Sequence, residues 1–236
     1  MSEAPQAANG ELVPTPPEPA YDAPVVDLLG LLACAELLAF ERMAHDATLA
    51  PTIDDKAELA AMAVAEFGHF TLLRRRLTEM GVDATAAMSP FVQPLMDFHA
   101  RTAPSDWLEG LVKAYVGDGI AADFYREVAV HLDPATRDLV LDVLADTGQV
   151  EFAVARVRRA IEADPRVGGR LALWGRRLLG EALSQAQRVA AEREPLTALL
   201  IGGTDRPGMD LAEIGRMFSR LTEAHTKRME ALGLSA

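Results

Sequence analysis

The stretch MAVAEFGHF at 62–70 decides the fold. One and two helical turns from Glu66 lie Leu59, Met62, Ala63, Phe70 and Leu73, all apolar, and the single polar neighbour is His69 at i+3. Residues three and four apart share a helix face. A carboxylate and an imidazole therefore stand side by side on a face that the helical period assigns to the interior. Burying them unpartnered is costly, so they require each other, a metal ion, or both.

Three further stretches repeat the pattern. Glu36 sits among Leu29, Leu32, Ala33, Ala39, Phe40 and Met43, and Asp118 among Leu111, Ala114, Tyr115, Ala121, Ala122 and Tyr125. Asp146 has Leu139, Val143, Val150 and Ala153 about it, with Gln149 at i+3 and Asp142 at i−4. Four helices each directing one acid inward predict an all-α four-helix bundle. In an antiparallel hairpin, residues equidistant from the turn lie level. The midpoint of Glu36 and Glu66 is Pro51, and that of Asp118 and Asp146 is Leu132, beside Asp133-Pro134. Both midpoints fall on expected turns, and both pairs lie ~21 to 22 Å from them at the α-helical rise. All four acids can share one level. Gly68, Gly117, Gly119 and Gly148 flank them, and an interior helical glycine costs about 1 kcal/mol relative to alanine, so their gathering predicts close approach or open space there.

The punctuation fits. The Pro-rich residues 1–22 lack periodicity and read as a disordered tail. The bundle is expected over 23–201. Helix one runs from Val25 to Leu49 and helix two, capped by Thr52 or Asp54, to Met80, before Gly81. A loop holding Pro90 and Pro94 follows. Ser105-Asp106 opens helix three, which reaches Leu132. Helix four is expected as one run from Asp133-Pro134 to Asp164, and helix five spans Gly169 to Glu194. Residues 202–236 form a loop and an amphipathic C-terminal helix carrying Leu211, Ile214, Phe218, Leu221 and Met229 near one stripe.

Half of the 236 residues are hydrophobic, enough for a large core, and the net charge of −12 disfavours nucleic acid and anionic lipid. With one cysteine, Cys34, and neither a signal peptide nor an uncharged run of membrane length, a cytoplasmic location is expected. Cys34 reads as core. Glu41 with His45, and Asp123 with Arg126 and Glu127, read as solvated surface charge; His99, His131 and His225 have no ligand-like company. Arg156, Arg158, Arg159, Arg166, Arg170, Arg176 and Arg177, with Arg74 to Arg76, form the basic concentration that an RNA ligand would need.

The segments LLACAELLAFERMA (31–44), MAVAEFGHF (62–70), AYVGDGIAADFYREVA (114–129) and VLADTGQVEFAVARV (143–157) resemble the ferritin-like di-iron carboxylate proteins, whose four helices carry Glu, Glu-x-x-His, Glu and Glu-x-x-His. Within that superfamily the chain is most similar to the bacterial tRNA (2-methylthio-isopentenyladenosine) hydroxylase-like group, over roughly residues 25 to 200. The resemblance implies an iron site with Glu36, Glu66 and His69 as an intact first half, Glu66 bridging, and Asp118, Asp146 and Gln149 as an altered second half. Tyr115 and Tyr125 stand as neighbours behind the ligands. Asp118 is one methylene short of the usual Glu, and Gln149 offers a neutral carbonyl oxygen in place of imidazole. The implied activity is dioxygen-dependent hydroxylation or oxidation of an unidentified substrate. A metal-poor bundle serving as an interaction or regulatory protein is the alternative, and iron storage ranks third. Of partners, tRNA is disfavoured by net charge, and a homodimer stays open.

Overall fold

The computed structural model describes residues 23–145, 150–202 and 209–236. The expected tail at 1–22, most of the loop before the last helix, and Asp146, Gly148 and Gln149 lie outside the described residues. Nine α-helices are present among the described residues: α1 (Ala23–Asp46), α2 (Ile53–Glu79), α3 (Ala84–Arg101), α4 (Trp107–Ala129), α5 (Pro134–Val143), α6 (Val150–Ala163), α7 (Arg166–Glu192), α8 (Glu194–Ile201) and α9 (Leu211–Ala231).

Helices α1 and α2 form the first hairpin. A 3₁₀ turn at Ala47–Leu49 ends the first arm, and the Thr52 side chain accepts from Asp55 N to start the second. Helix α4, with Asp106 capping Glu109 N, forms the second hairpin with α5 and α6. The Arg156–Asp55 ion pair ties α6 to α2 at 2.6 Å. Helix α1 is long and apolar enough to cross a membrane by length and composition alone, with a mean hydropathy of 1.9 in its most apolar window. It packs on α2, α3, α4 and α8, and its Leu28, Leu29, Leu32 and Ala33 are at most 1% exposed; it is a core helix of the bundle.

Two expectations fail. The stretch with Pro90 and Pro94 is a helix, α3. Its buried stripe Ala84, Ala87 and Phe91 packs on α1, where Gly30 leaves room: a Cβ at Gly30 would come within 2.4 Å of the Ala87 carbonyl oxygen. That burial outweighs the lost helical hydrogen bonds at the two prolines. Nor is the fourth helix one run. Helix α5 ends at Val143, where Leu144 N and Ala145 N turn back to Val140 O and Asp142 O. The Leu144 carbonyl accepts from Arg126 Nη2 of α4 at 2.7 Å, satisfying a helix-end acceptor.

The last helix is held by charge as well as by its apolar face. Arg228 pairs with Asp123, and Arg220 makes a two-point contact with Glu127. Asp123 and Glu127 are therefore anchors for α9, not free surface charges. Glu41 and His45 are exposed, as expected.

Candidate metal centre

The apolar core is divided into clusters above, below and beside one polar level. Leu28, Leu32 and Leu73 belong to one cluster, Leu111 and Val157 to another, and Met43, Leu59 and Met62 to a third. Between them, ligand atoms of Glu36, Glu66 and His69 lie within 4.8 Å of one another. His69 Nδ1 is 3.4 Å from Glu36 Oε2 and 3.9 Å from Glu66 Oε2. Glu36 and Glu66 are 8% and 7% exposed, which is rare for carboxylates. The hairpin geometry thus brings Glu36 level with Glu66 across the turn at Pro51.

Two buried carboxyls and a half-buried imidazole held together perturb one another strongly. Burial and the neighbouring Glu66 push the Glu36 carboxyl well above the usual range. Burial also acts upward on Glu66, but the contacts to Glu36 and His69 prevail and hold it below its ordinary value. The carboxylates of Glu36 and Glu66 raise His69 to about 10. Even so, Glu36 Oε2 is buried with no hydrogen-bond partner; the imidazole is near but misaligned. A buried carboxylate oxygen left unsatisfied beside a second carboxylate and an imidazole fits a small hard or borderline cation, which would satisfy all three donors at once.

Asp118 lies on α4 beside this group. Its carboxylate lines the same cavity of about 300 Å³ as Glu36, Glu66, His69 and Tyr115. The cavity leaves Asp118 accessible although it sits deep in the molecule, and burial together with Glu66 raises it to about 7. Asp118 is therefore a neighbour of the cluster but not one of its three close donors. Tyr125 is buried, and burial followed by the charges of Glu36, Cys34 and Asp118 pushes its phenol up, so it stays protonated. Tyr115 is half-buried. Burial raises the Cys34 thiol to about 11, as befits an inert core cysteine.

The flanking glycines do not share one role. A Cβ at Gly68 or Gly117 would meet nothing within 4 Å, whereas one at Gly119 would collide with the Arg228 side chain. Sequence reasoning missed Arg228 and read Arg126 as surface charge; both line the polar cavity, from α9 and α4. Only Arg126, at i+8 from Asp118, shares its helix; Arg228 is 110 residues away in sequence and left no local signal.

On the opposite side of Glu36, Glu66 and Asp118 lies a second cavity of about 150 Å³, walled by Ala39, Met43, Leu59, Leu95, Phe98 and Tyr125. It adjoins a third, almost wholly apolar space of about 180 Å³ at Leu28, Leu31, Phe124 and Leu199, sharing Leu95, Phe98 and Tyr125 with it. The carboxylate cluster is the wall between a polar chamber and an apolar one.

Comparison with known proteins agrees with this architecture. The family model described as ferritin-like domain, actinomycetes, matches residues 19–203. A solved structure of a Synechococcus protein with aldehyde deformylating oxidase activity superposes with a TM-score of 0.68 at 22% sequence identity, over 92% of this chain and 93% of that one. At that identity the likeness speaks for the fold. No curated protein matches the chain.

Proposed function

The chain belongs to the ferritin-like domain family of actinomycetes, and from that premise we propose that it is a non-haem iron oxidase or hydroxylase acting on a small, largely apolar substrate. The observation that carries this reading is the position of Glu36, Glu66 and His69, three converging donors on the wall between the polar and the apolar cavity. Glu66 is suited to bridge, and Glu36 and His69 to end the coordination of one ion. Asp118, which lines the same cavity, would be the residue available to a second ion, and the sequence pattern offers Asp146 and Gln149 as its further candidates. Bound ferrous iron would supply activation of dioxygen for oxidation of a substrate carbon.

The rest is the work of the protein. Leu59, Leu95 and Phe98 exclude water from the substrate side, which strengthens every charge interaction at the wall. Tyr125, held as a phenol, offers a proton rather than a negative charge. His69 would have to give up its proton for metal to bind, and Asp118 lines the same polar chamber.

The resemblance to tRNA hydroxylases supports the hydroxylation chemistry more than the RNA substrate. The arginines that would form a basic face are largely engaged within the chain. Arg156 pairs with Asp55, Arg170 with Glu109 and Asp106, and Arg166 with Asp164. Arg158, Arg176 and Arg177 donate to the carbonyls of Ala231, Ser235 and Arg101. The test is oxygen consumption by anaerobically iron-loaded protein with medium-chain aldehydes, acids and alcohols. Substrate-dependent uptake above the iron-only control is expected. Iron-loaded protein that consumes oxygen equally with and without every substrate would leave a metal-binding bundle without oxidase function.

A further inference from the structure

The proposed centre leaves unused a polar group at the other end of the apolar cavity: Arg42 and Asp46 from α1, His99 from α3 and Lys113 from α4. Lys113 is 8% exposed. Its ammonium has no carboxylate at ion-pair distance among the described residues, and Asp46 acts on it only from farther off. Burial pulls Lys113 down to about 8 and holds His99 neutral, at about 3. Arg42 Nε and His99 Nδ1 are buried without a hydrogen-bond partner; the outer end of the Arg42 guanidinium meets the exposed Glu41. A buried ammonium and two orphaned nitrogens around one cavity are costly unless a ligand completes them.

Their level in the bundle gives the ligand a length. A Cβ at Gly110 would lie 3.7 Å from Asp46 Cβ, and Glu36 feels the charge of Asp118, so α1 and α4 run antiparallel with Arg42 level with Lys113. Arg42 is six positions on from Glu36, and Asp118 five positions on from Lys113. At the helical rise the two ends of the cavity are roughly 8 to 9 Å apart. Between them the walls are Ala39, Met43, Leu59, Ala114 and Leu95. Glu41 meets Arg42 from outside, which leaves Lys113, with no carboxylate at ion-pair distance among the described residues, as the charge that a monoanion would complete.

We propose that this end of the cavity binds the carboxylate of a medium-chain aliphatic acid, with Lys113 as its charge partner and Arg42 and His99 as further donors. The chain of the acid then lies along the apolar walls and presents a carbon remote from its carboxylate to Glu36, Glu66 and His69. What happens to that carbon rests on the oxidase reading; the binding does not.

Calorimetric titration of the metal-free protein tests the binding, so failure here is distinguishable from failure of the metal centre. Octanoate is expected to bind, with octan-1-ol weaker by at least about tenfold, since a charge-assisted contact contributes at least that much. Octyl phosphate, a bulkier dianion facing the Asp46 carboxylate, is expected to bind more weakly than octanoate. Lys113→Met should weaken octanoate by about tenfold or more and leave octan-1-ol unchanged. It should not lower the melting temperature, because it removes a desolvated charge. Lys113→Arg should retain octanoate. The proposal is overturned if octanoate does not bind, if octan-1-ol or octyl phosphate binds as tightly, or if folded Lys113→Met binds octanoate like the wild type.

Discussion

The two hairpins of the bundle have the same plan and differ in what they bring to its centre. The first, α1 and α2, consists of two unbroken helices about a tight turn, and it delivers Glu36, Glu66 and His69 to one point. The second pairs the unbroken α4 with an arm divided into α5 and α6, and of its acids Asp118 reaches the cavity wall without joining the close group. Among the described residues, the first hairpin alone supplies three close donors, and the second contributes Asp118 to the cavity wall. The comparison predicts unequal consequences for substitutions on the two sides.

The largest effect is expected from Glu66→Ala, which removes the central donor of the first hairpin. Loss of even an outer partner typically costs 10- to 100-fold in metal affinity, so loss of this ligand should cost about 100-fold or more, read by ferrous-ion competition titration. Retained affinity would place the metal elsewhere.

Next comes pH. His69 stands at about 10 in the metal-free protein, and the Glu36 carboxyl is raised as well. His69 must lose a proton on binding, so metal affinity should climb by about tenfold per pH unit between pH 6.5 and 10. The sign for stability is opposite. A histidine raised on folding contributes stability that is full below its ordinary value near 6.5 and is lost as pH rises through about 10. Metal-free protein should therefore lose melting temperature over that window, and metal-loaded protein, with His69 already neutral, should not.

Much of this was legible from the residues. The apolar surroundings of Glu36 and Glu66 and their symmetry about Pro51 placed the first hairpin and its donors, because helical period and hairpin register are local arithmetic. The second hairpin was less legible. Helix α5 ends where Arg126 of α4 takes the Leu144 carbonyl, a tertiary contact that propensity does not register. Helix α3 misled in the other direction: Pro90 and Pro94 suggested a loop, and the fit of Ala87 against Gly30 overrode them. Lys113, 8% exposed beside Leu111 and Val112 at 0%, carries no local sign in the sequence that it is buried.

A smaller effect is expected on the second side. Asp118 is raised to about 7, so near neutrality it is only partly ionised. Asp118→Asn should lower the affinity of the first metal by about tenfold, the low end of the range for an outer partner, while lowering the stoichiometry wherever a second ion binds. A loss as large as that of Glu66→Ala would make the two hairpins equal partners and end the comparison. Gly119→Ala should have the smallest effect, about 1 kcal/mol by chemical denaturation, because its methyl group meets the flexible Arg228 side chain and not backbone. A larger cost would show that the Arg228–Asp123 contact fixes the geometry of Asp118.

Iron-edge anomalous diffraction from crystals grown with ferrous iron under anaerobic conditions tests the central claim most directly. A strong anomalous peak in contact with Glu36, Glu66 and His69 is predicted, with any second peak toward Asp118 weaker. Absence of a peak between those three side chains, with iron bound elsewhere or not at all, would contradict it.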